Sequence, residues 1–132
     1  MAWKLDSDRP IYIQLVEQIQ LYIVSGKFPG GSRLPSVREL AAEAGVNPNT
    51  MQKAFAELER DGLVMTNRTA GRFVTEDSKM VQQIRQKLAS EEIHLFLGKM
   101  KQLGFEKEEL ISLLKTDYKE GENQYDNESK PD

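Results

Sequence analysis

Residues 34–64 have the sequence LPSVRELAAEAGVNPNTMQKAFAELERDGLV, which carries the signals for two short helices. Ser36 is followed three residues later by Glu39. This is the capping-box spacing, in which each side chain satisfies an exposed N–H at the start of a helix. Gly45 is well placed to end that helix, because glycine adopts the left-handed conformation without strain. The pattern predicts one short helix between Ser36 and Gly45.

A second helix is predicted over residues 48–61, almost directly after the first. Asn47 can cap its start, and Pro48 suits its first turn because the missing N–H has no helical partner there. The helix is expected to end at Asp61 and Gly62. Two short helices joined by a glycine-containing turn are the helix-turn-helix arrangement.

The helix over residues 48–61 has two chemically different faces. Met51, Phe55 and Leu58 lie within about 40° of one another on a helical wheel, which predicts that they face the core. The opposite face is made of amide, cationic and small side chains, namely Asn49, Gln52, Lys53, Ala56 and Arg60. Amides and cations are the groups that contact base edges and phosphates, so this face is a candidate surface for nucleic acid.

Two β-prone segments follow the second helix. Residues 63–66 and 71–75 are separated by residues 67–70, which is a hairpin pattern. The hairpin tip carries Arg68 and Arg72. A helix-turn-helix followed at once by a hairpin with a basic tip is typical of a winged helix.

Amphipathic helices are also predicted on both sides of the winged helix. Before it, apolar residues from Tyr12 to Ile23 recur at helical spacing, preceded by an irregular segment or a brief strand at residues 3–5. Beyond residue 78 the helical period returns, and Gly104 divides this part into two helices.

The apolar faces of the two C-terminal helices are too wide to be buried against each other alone, so we expect a homodimer. The residues assigned to the dimer contact are Val81, Ile84, Leu88, Leu95, Phe96, Met100, Leu103, Leu110 and Leu114. The predicted fold is mainly α with a small β-hairpin. Its domains are a winged helix-turn-helix over 1–75, a two-helix dimerisation region over 76–119 and a disordered acidic tail over 120–132.

Composition excludes several classes of function. The 132-residue chain has no cysteine and one histidine, His94, so disulfides, thiolate catalysis, cysteine-based zinc sites and histidine relays are not expected. Residues 1–75 carry nine Lys/Arg and eight Asp/Glu, whereas residues 76–132 carry nine and thirteen. The acidic excess therefore lies outside the candidate nucleic-acid-binding part. We expect no enzyme activity, metal or cofactor, no membrane span or signal peptide, and a cytoplasmic location.

Three ordered motifs resemble the DNA-binding domain of GntR-type bacterial transcription regulators; they are residues 34–41, 45–50 and 58–63. The opening residues 10–15 also resemble the first helix of that family, and the resemblance covers about residues 8–75. The Asn-Pro-Asn-Thr sequence at 47–50 and the short C-terminal part are similar to the YtrA-like subgroup. In that subgroup a compact pair of helices serves dimerisation.

The resemblance implies roles for individual residues. Arg38 matches a DNA-contacting arginine of the family, and the start of the second helix enters the major groove, where Asn49 or Gln52 suits adenine edges. Gly71 matches a wing glycine that approaches the minor groove closely. The full set assigned to DNA contact is Arg33, Ser36, Arg38, Asn47, Asn49, Thr50, Gln52, Lys53, Arg68, Thr69, Gly71 and Arg72.

The function that the resemblance implies is sequence-specific regulation of transcription, by a homodimeric repressor bound to a roughly palindromic double-stranded operator. Target genes in the subgroup often encode export systems of the ABC type. The sequence leaves open whether a small-molecule effector binds the protein. The alternative is a winged-helix module that binds another protein; it requires exposed apolar residues on the helix over 48–61, which the sequence does not place there. A small enzyme is a third hypothesis, but the sequence offers no nucleophile–histidine–acid set, phosphate loop or metal cluster.

Overall fold

The computed structural model describes residues 2–129, and within that range it consists of helices and one antiparallel hairpin. In chain order the elements are α1 (Ile11–Val24), α2 (Val37–Ala44), α3 (Pro48–Arg60), β1 (Val64–Asn67), β2 (Gly71–Val74), α4 (Ser78–Gln102) and α5 (Lys107–Ser129). The chain divides into two compact units, the first ending at Leu88 and the second beginning at Ala89. The first unit contains the winged helix-turn-helix that the sequence predicts.

The side-chain caps that the sequence predicts at Ser36 and Asn47 are present at the starts of α2 and α3. The Ser36 hydroxyl accepts a hydrogen bond of 3.0 Å from the Glu39 N–H at the start of α2. Gly45 ends that helix in the left-handed conformation, with φ of 71°. The Asn47 side chain then accepts a bond of 2.8 Å from the Asn49 N–H at the start of α3. These local bonds fix a tight turn between the two helices.

The core of the first unit lies between the first three helices, where α1 and α2 both pack against α3. The predicted inward residues Met51, Phe55 and Leu58 are fully buried, and Ala54 joins them on the same face. The fully buried side chains that meet them from the other elements include Leu15, Ile19, Leu40, Leu63 and Val64. Burial of a large apolar side chain contributes about 1.5–3 kcal/mol, so this packing fixes which face of α3 remains outside.

The hairpin is extended at its base by the segment before α2. In the hairpin itself Val64 lies opposite Val74, and Thr66 lies opposite Arg72. On the other edge of β2, the Leu34 N–H donates to the Arg72 carbonyl at 2.8 Å, and the Val74 N–H donates to the Ser32 carbonyl at 2.9 Å. The loop at 31–34 thus behaves as a short third strand, which the sequence does not predict.

The N-terminal residues are tied to α1 by side chains, and they form no strand at 3–5. The buried Gln14 side chain accepts from the Asp6 N–H at 2.8 Å and donates to the Asp6 and Arg9 carbonyls at 2.8 and 2.9 Å. The Trp3 ring packs edge-on against Tyr22, at 5.5 Å between ring centroids. These contacts satisfy the backbone of the segment without the ladder that a strand requires.

The boundary of the first unit lies further along the chain than the predicted boundary at residue 75. The first turns of α4 place Met80, Val81 and Ile84 against the core of the winged helix. This packing extends the compact unit to Leu88.

The tail predicted to be disordered over 120–132 differs from the structure, because α5 continues to Ser129. A helix satisfies its own backbone hydrogen bonds, so a polar segment can continue a helix that has already begun, because adding residues to a helix costs much less than starting one. Residues 130–132 of the predicted tail lie outside the described residues. Within residues 2–129, none of the helices is both long and apolar enough to cross a membrane.

Candidate nucleic-acid interface

The outward face of α3 is exposed along its length. Asn49, Gln52, Lys53, Ala56 and Arg60 are all exposed, and they lie opposite the buried apolar face of the helix. Thr50, also assigned to DNA contact, is half-buried at the start of the helix, and Asn47 is exposed while its side chain caps α3. The helix therefore offers amide and cationic groups on a surface that its own core packing holds in place.

Two cations of α3 have partners on the protein. The Lys53 Nζ atom lies 3.9 Å from the centroid of the Tyr12 ring on α1, a cation–π contact that leaves its positive charge at the surface. Arg60 pairs with Glu57 one turn earlier in the last turn of the helix. The Arg60 side chain thus acts as a C-terminal helix cation, as the sequence suggests.

A basic notch lies beside the start of α2. It is an open cavity of about 430 Å³ lined by Arg33, Leu34, Pro35, Ser36, Glu39, Gly71 and Arg72. Arg33, which precedes α2, lines the notch and is exposed, and Arg38 within α2 is exposed as well. Ser36 is exposed as well, although its hydroxyl already serves the helix cap.

Gly71 is required at the edge of this notch for two separate reasons. Its φ of +100° is a conformation that side chains rarely adopt. A Cβ atom there would also lie 3.1 Å from the Arg33 Nε atom. The absence of a side chain at Gly71 therefore lets the Arg33 guanidinium lie across the wing.

The tip of the hairpin is organised by one side chain. The Asn67 carboxamide oxygen accepts from the Thr69 N–H at 3.0 Å, from the Thr69 hydroxyl at 2.9 Å and from the Ala70 N–H at 3.2 Å. This turn leaves Arg68 exposed at its outermost point. Thr69 is exposed too, but its hydroxyl proton is donated within the turn.

Arg72 is placed differently from the sequence prediction, which assigned it to the basic tip. Its Nε atom donates to the Glu59 Oε1 atom at 2.8 Å, and its guanidinium carbon lies 5.5 Å from the centroid of the Phe55 ring. The side chain is 26% exposed. The reason is the strand alternation: Arg72 shares a face of the hairpin with the buried Val64 and Val74, so it points toward α3.

Glu59 is the residue of this region that the sequence analysis missed. Its Oε1 atom accepts from Arg72 and also from the Thr66 hydroxyl, at 2.6 Å. Burial by itself raises the pKa of Glu59, but the hydrogen bonds from Thr66 and Arg72 and the charge of Arg72 together hold its pKa below the ordinary value. The carboxylate is thus ionised at neutral pH. Its position one helical turn after Phe55 and the alternation of the hairpin were the signals that could have revealed it.

Residues 11–74 match the family model for bacterial regulatory proteins of the gntR family. The uncharacterized HTH-type transcriptional regulator YhcF of Bacillus subtilis is 41% identical over 113 residues, which are 86% of this chain and 93% of that protein. The chain belongs to the GntR family. The HTH-type transcriptional repressor YtrA of Bacillus subtilis is 44% identical over 73 residues, 55% of this chain and 56% of YtrA.

Solved structures of GntR-family proteins share the fold. A GntR family transcriptional regulator from Listeria monocytogenes superimposes with a TM-score of 0.78 at 39% identity, covering 85% of this chain and 98% of that one. YtrA from Sulfolobus acidocaldarius, a GntR-family transcription factor, gives a TM-score of 0.50 at 25% identity over 91% and 97% of the two chains. The known members matched here are transcription regulators, and the chain is therefore a regulator with the helix-turn-helix of that family.

Beyond the part matched by the GntR model, the structure divides the predicted dimer residues into two groups. Val81 and Ile84 are half-buried because they pack against the core of the first unit, so part of their apolar surface is already covered within the chain. Leu110 is buried, and Leu88 and Met100 are half-buried. The predicted residues that remain exposed are Leu95, Phe96, Leu103 and Leu114.

Proposed function

We propose that this GntR-family protein is a homodimeric, sequence-specific transcriptional repressor that acts in the bacterial cytoplasm. The observation that carries the proposal is the outward face of α3, which is exposed, polar and cationic along its length and rigidly backed by Met51, Phe55 and Leu58. In a helix-turn-helix, the second helix enters the major groove and presents its outer side chains to base edges. The relatives described as repressors, such as YtrA of Bacillus subtilis, support the direction of regulation.

The proposed base contacts are the amides of α3. Asn49 and Gln52 are exposed near the start of the helix, the part that enters the groove first. A carboxamide can donate and accept at once, which matches the N6 and N7 atoms of adenine. We therefore expect A·T pairs at the centre of each half-site, with Asn47 and Thr50 contacting the adjacent backbone.

The proposed phosphate contacts come from α3 itself and from the segments that precede and follow it in the chain. Arg33 and Arg38 belong to the notch and to α2, Lys53 lies on the helix itself, and Arg68 is at the wing tip. Gly71 has no side chain that would keep the wing from the minor groove, and Thr69 lies beside it in the turn. Such contacts fix the orientation of the protein on the duplex and supply most of the salt-dependent affinity.

The proposed dimer contact lies in the second unit. The large apolar side chains of its helices that are more than a third exposed are Ile93, Leu95, Phe96, Leu97, Leu103, Ile111, Leu113, Leu114 and Tyr118. An apolar surface of this kind is unfavourable in water unless a partner covers it, and a second copy carries the same surface. A two-fold dimer predicts a roughly palindromic operator with half-sites about 34 Å apart.

Resemblance to the YtrA-like subgroup suggests operons for ABC-type export systems as targets. An effector, if the protein has one, would act through the second unit, because the winged helix is filled by its own core. The alternative of a protein-binding module is less well supported: α3, which is described in full, has no large hydrophobic residue among its exposed side chains.

Selection of bound duplexes from a random pool tests the proposal. We expect enrichment of one inverted repeat with A·T-rich positions in each half. Gln52→Ala protein in a parallel selection should relax the preference at one position of each half-site. Recovery of unrelated sequences by the unaltered protein would contradict sequence-specific binding.

A further inference from the structure

We propose that Glu59 and Arg72 are positioning residues that fix the wing on the recognition helix α3, and that Arg72 does not bind a phosphate. The inference deepens the proposed DNA-binding function and rests on it. It reverses the expectation from the sequence, in which a cation on the hairpin tip serves as a phosphate ligand.

The geometry joins both strands of the wing to one atom of α3. Thr66 and Arg72 are opposite each other in the antiparallel hairpin, so their side chains share a face. Both donate to the same oxygen, Oε1 of Glu59, at 2.6 and 2.8 Å. The guanidinium of Arg72 also lies over the Phe55 ring, which holds its plane against the helix.

The ion pair lies close to the tip of the hairpin, so it restrains the orientation of the turn. The third strand at 31–34 pairs with β2 from Val74 as far as the Arg72 carbonyl. Beyond the Thr66–Arg72 pair only the Asn67–Gly71 pair and the turn remain. The Glu59 carboxylate is therefore the outermost link between the wing and α3, and it determines where Arg68 points. Beyond the Arg72 carbonyl the wing is two-stranded, and an isolated two-stranded hairpin is only marginally stable in water.

The charges argue for the same role. Glu59 places a negative charge on the recognition helix, where it repels a phosphate backbone unless it is neutralised. The ion pair with Arg72 cancels that charge, and both side chains are about one-third exposed or less, at 32% and 26%. Because the Glu59 carboxylate neutralises the charge of the Arg72 guanidinium, the net positive charge of the wing comes from Arg68 and Arg33.

The Glu59→Gln variant separates a pure charge effect from a positioning effect, because the two predict opposite changes in operator affinity. If Glu59 acts only through its charge, its removal reduces repulsion and DNA binding becomes tighter. If Glu59 positions the wing, binding to the selected operator weakens, by about fivefold to tenfold, because the ion pair with Arg72 is lost and the neutral amide oxygen accepts more weakly. Glu57→Gln is the matched control, since Glu57 is a carboxylate on the same helix that pairs with Arg60 and not with the wing. This control should bind as tightly as the unaltered protein or slightly tighter.

The salt dependence of binding separates positioning from phosphate contact at Arg72. Loss of a phosphate ligand lowers the log–log salt slope by about 0.9 per contact. We expect Arg72→Gln to weaken binding with an unchanged slope, and Arg68→Gln to lower the slope by about that amount in each subunit. The double variant Glu59→Gln/Arg72→Gln should bind no more weakly than either single variant, because both lose the same ion pair. Tighter binding by Glu59→Gln, or a reduced slope for Arg72→Gln, would overturn the proposal.

Amide hydrogen exchange without DNA keeps this test independent of the proposed function. We expect faster exchange at residues 66–72 in Glu59→Gln, with unchanged protection in α1 showing that the fold is intact. If exchange in the wing is unchanged, the positioning role fails. If exchange rises but the unaltered protein binds no DNA, the proposed function fails while the structural link stands. Should Glu59→Gln not fold, Thr66→Val removes one of the two bonds to Glu59 and is expected to loosen the same segment.

Discussion

Single residues at the proposed interface have structural tasks in addition to the recognition tasks proposed for them. Gly71 provides a positive φ and the space in which Arg33 lies across the wing. Lys53 contacts Tyr12 by a cation–π interaction while its charge stays at the surface of α3. Ser36 and Asn47 cap helices at the same surface. We therefore expect substitution at these positions to affect both stability and DNA binding, and matched controls separate the two effects.

Gly71→Ala is expected to lower both stability and operator affinity. The left-handed conformation costs a side chain roughly 1–2 kcal/mol, and the new Cβ atom displaces the Arg33 side chain. Gly26→Ala is the matched control, because Gly26 also has a positive φ, of +84°, but a Cβ atom there meets nothing within 4 Å. Denaturant unfolding should show a loss for both variants, whereas titration with operator should show weaker binding for Gly71→Ala alone. Equal affinities of the two variants would contradict the role given to Gly71.

Glu59 should make stability depend on pH in one direction. Its pKa is lowered in the folded protein, so its contribution is present at neutral pH, above the ordinary carboxyl pKa. That contribution is lost as the pH falls through the lowered pKa. The difference in free energy of unfolding between the unaltered protein and Glu59→Gln should therefore shrink as the pH falls from neutral to below the ordinary carboxyl pKa. A difference that stays constant over this range would show that the carboxylate is not stabilised by Thr66 and Arg72.

At the scale of elements, the sequence predicts what short-range chemistry controls. The caps at Ser36 and Asn47 and the breaks at Gly45 and Gly104 involve residues within a few positions of one another, and the predicted helices form there. The exposed face of α3 follows from helical periodicity in the same way.

Other features depended on contacts between distant parts of the chain and were not predicted. Arg72 contacts a carboxylate thirteen residues earlier, which only the packing of the wing on α3 determines. The third strand at 31–34 also forms by pairing with a distant strand. Val81 and Ile84 were assigned to a dimer because their apolar pattern does not reveal which surface covers them.

The α3 helix should lose selectivity without losing its fold when Gln52 is truncated. Gln52→Ala is expected to reduce discrimination between the selected operator and its variant at one base pair by about 1–3 kcal/mol, the value of a paired amide–base contact. Stability should be unaffected because Gln52 is exposed. Gln83→Ala, which changes an exposed glutamine on α4, is the control and should leave selectivity intact. Equal behaviour of the two variants would remove Gln52 from the proposed base contacts.

At the scale of the whole molecule, binding to a palindromic operator requires two copies of the chain. Half-sites in a palindrome are bound together only if the second units associate, which raises the effective concentration of one winged helix beside the other. The exposed apolar side chains of the second unit support such an association. Dimerisation and DNA affinity are therefore expected to be lost together.

Phe96→Glu is expected to give monomers and to weaken operator binding strongly. The change places a charge on the exposed apolar surface, where Phe96 is 38% exposed and Leu95 is 64% exposed. His94→Glu, two positions earlier on the opposite side of α4, adds a similar charge and should remain dimeric. Sedimentation velocity at micromolar concentration distinguishes the two forms. A monomeric unaltered protein, or a dimeric Phe96→Glu variant, would contradict the proposed contact.

The salt dependence of affinity for the selected operator, compared with a scrambled duplex, tests most directly whether the outward face of α3 and its surrounding cations bind DNA. A dimer that neutralises about four phosphates per subunit predicts a log–log slope near −7. The selected duplex should also bind about a thousandfold or more tighter than the scrambled one at physiological salt. An affinity that is independent of salt and equal for both duplexes would contradict the account.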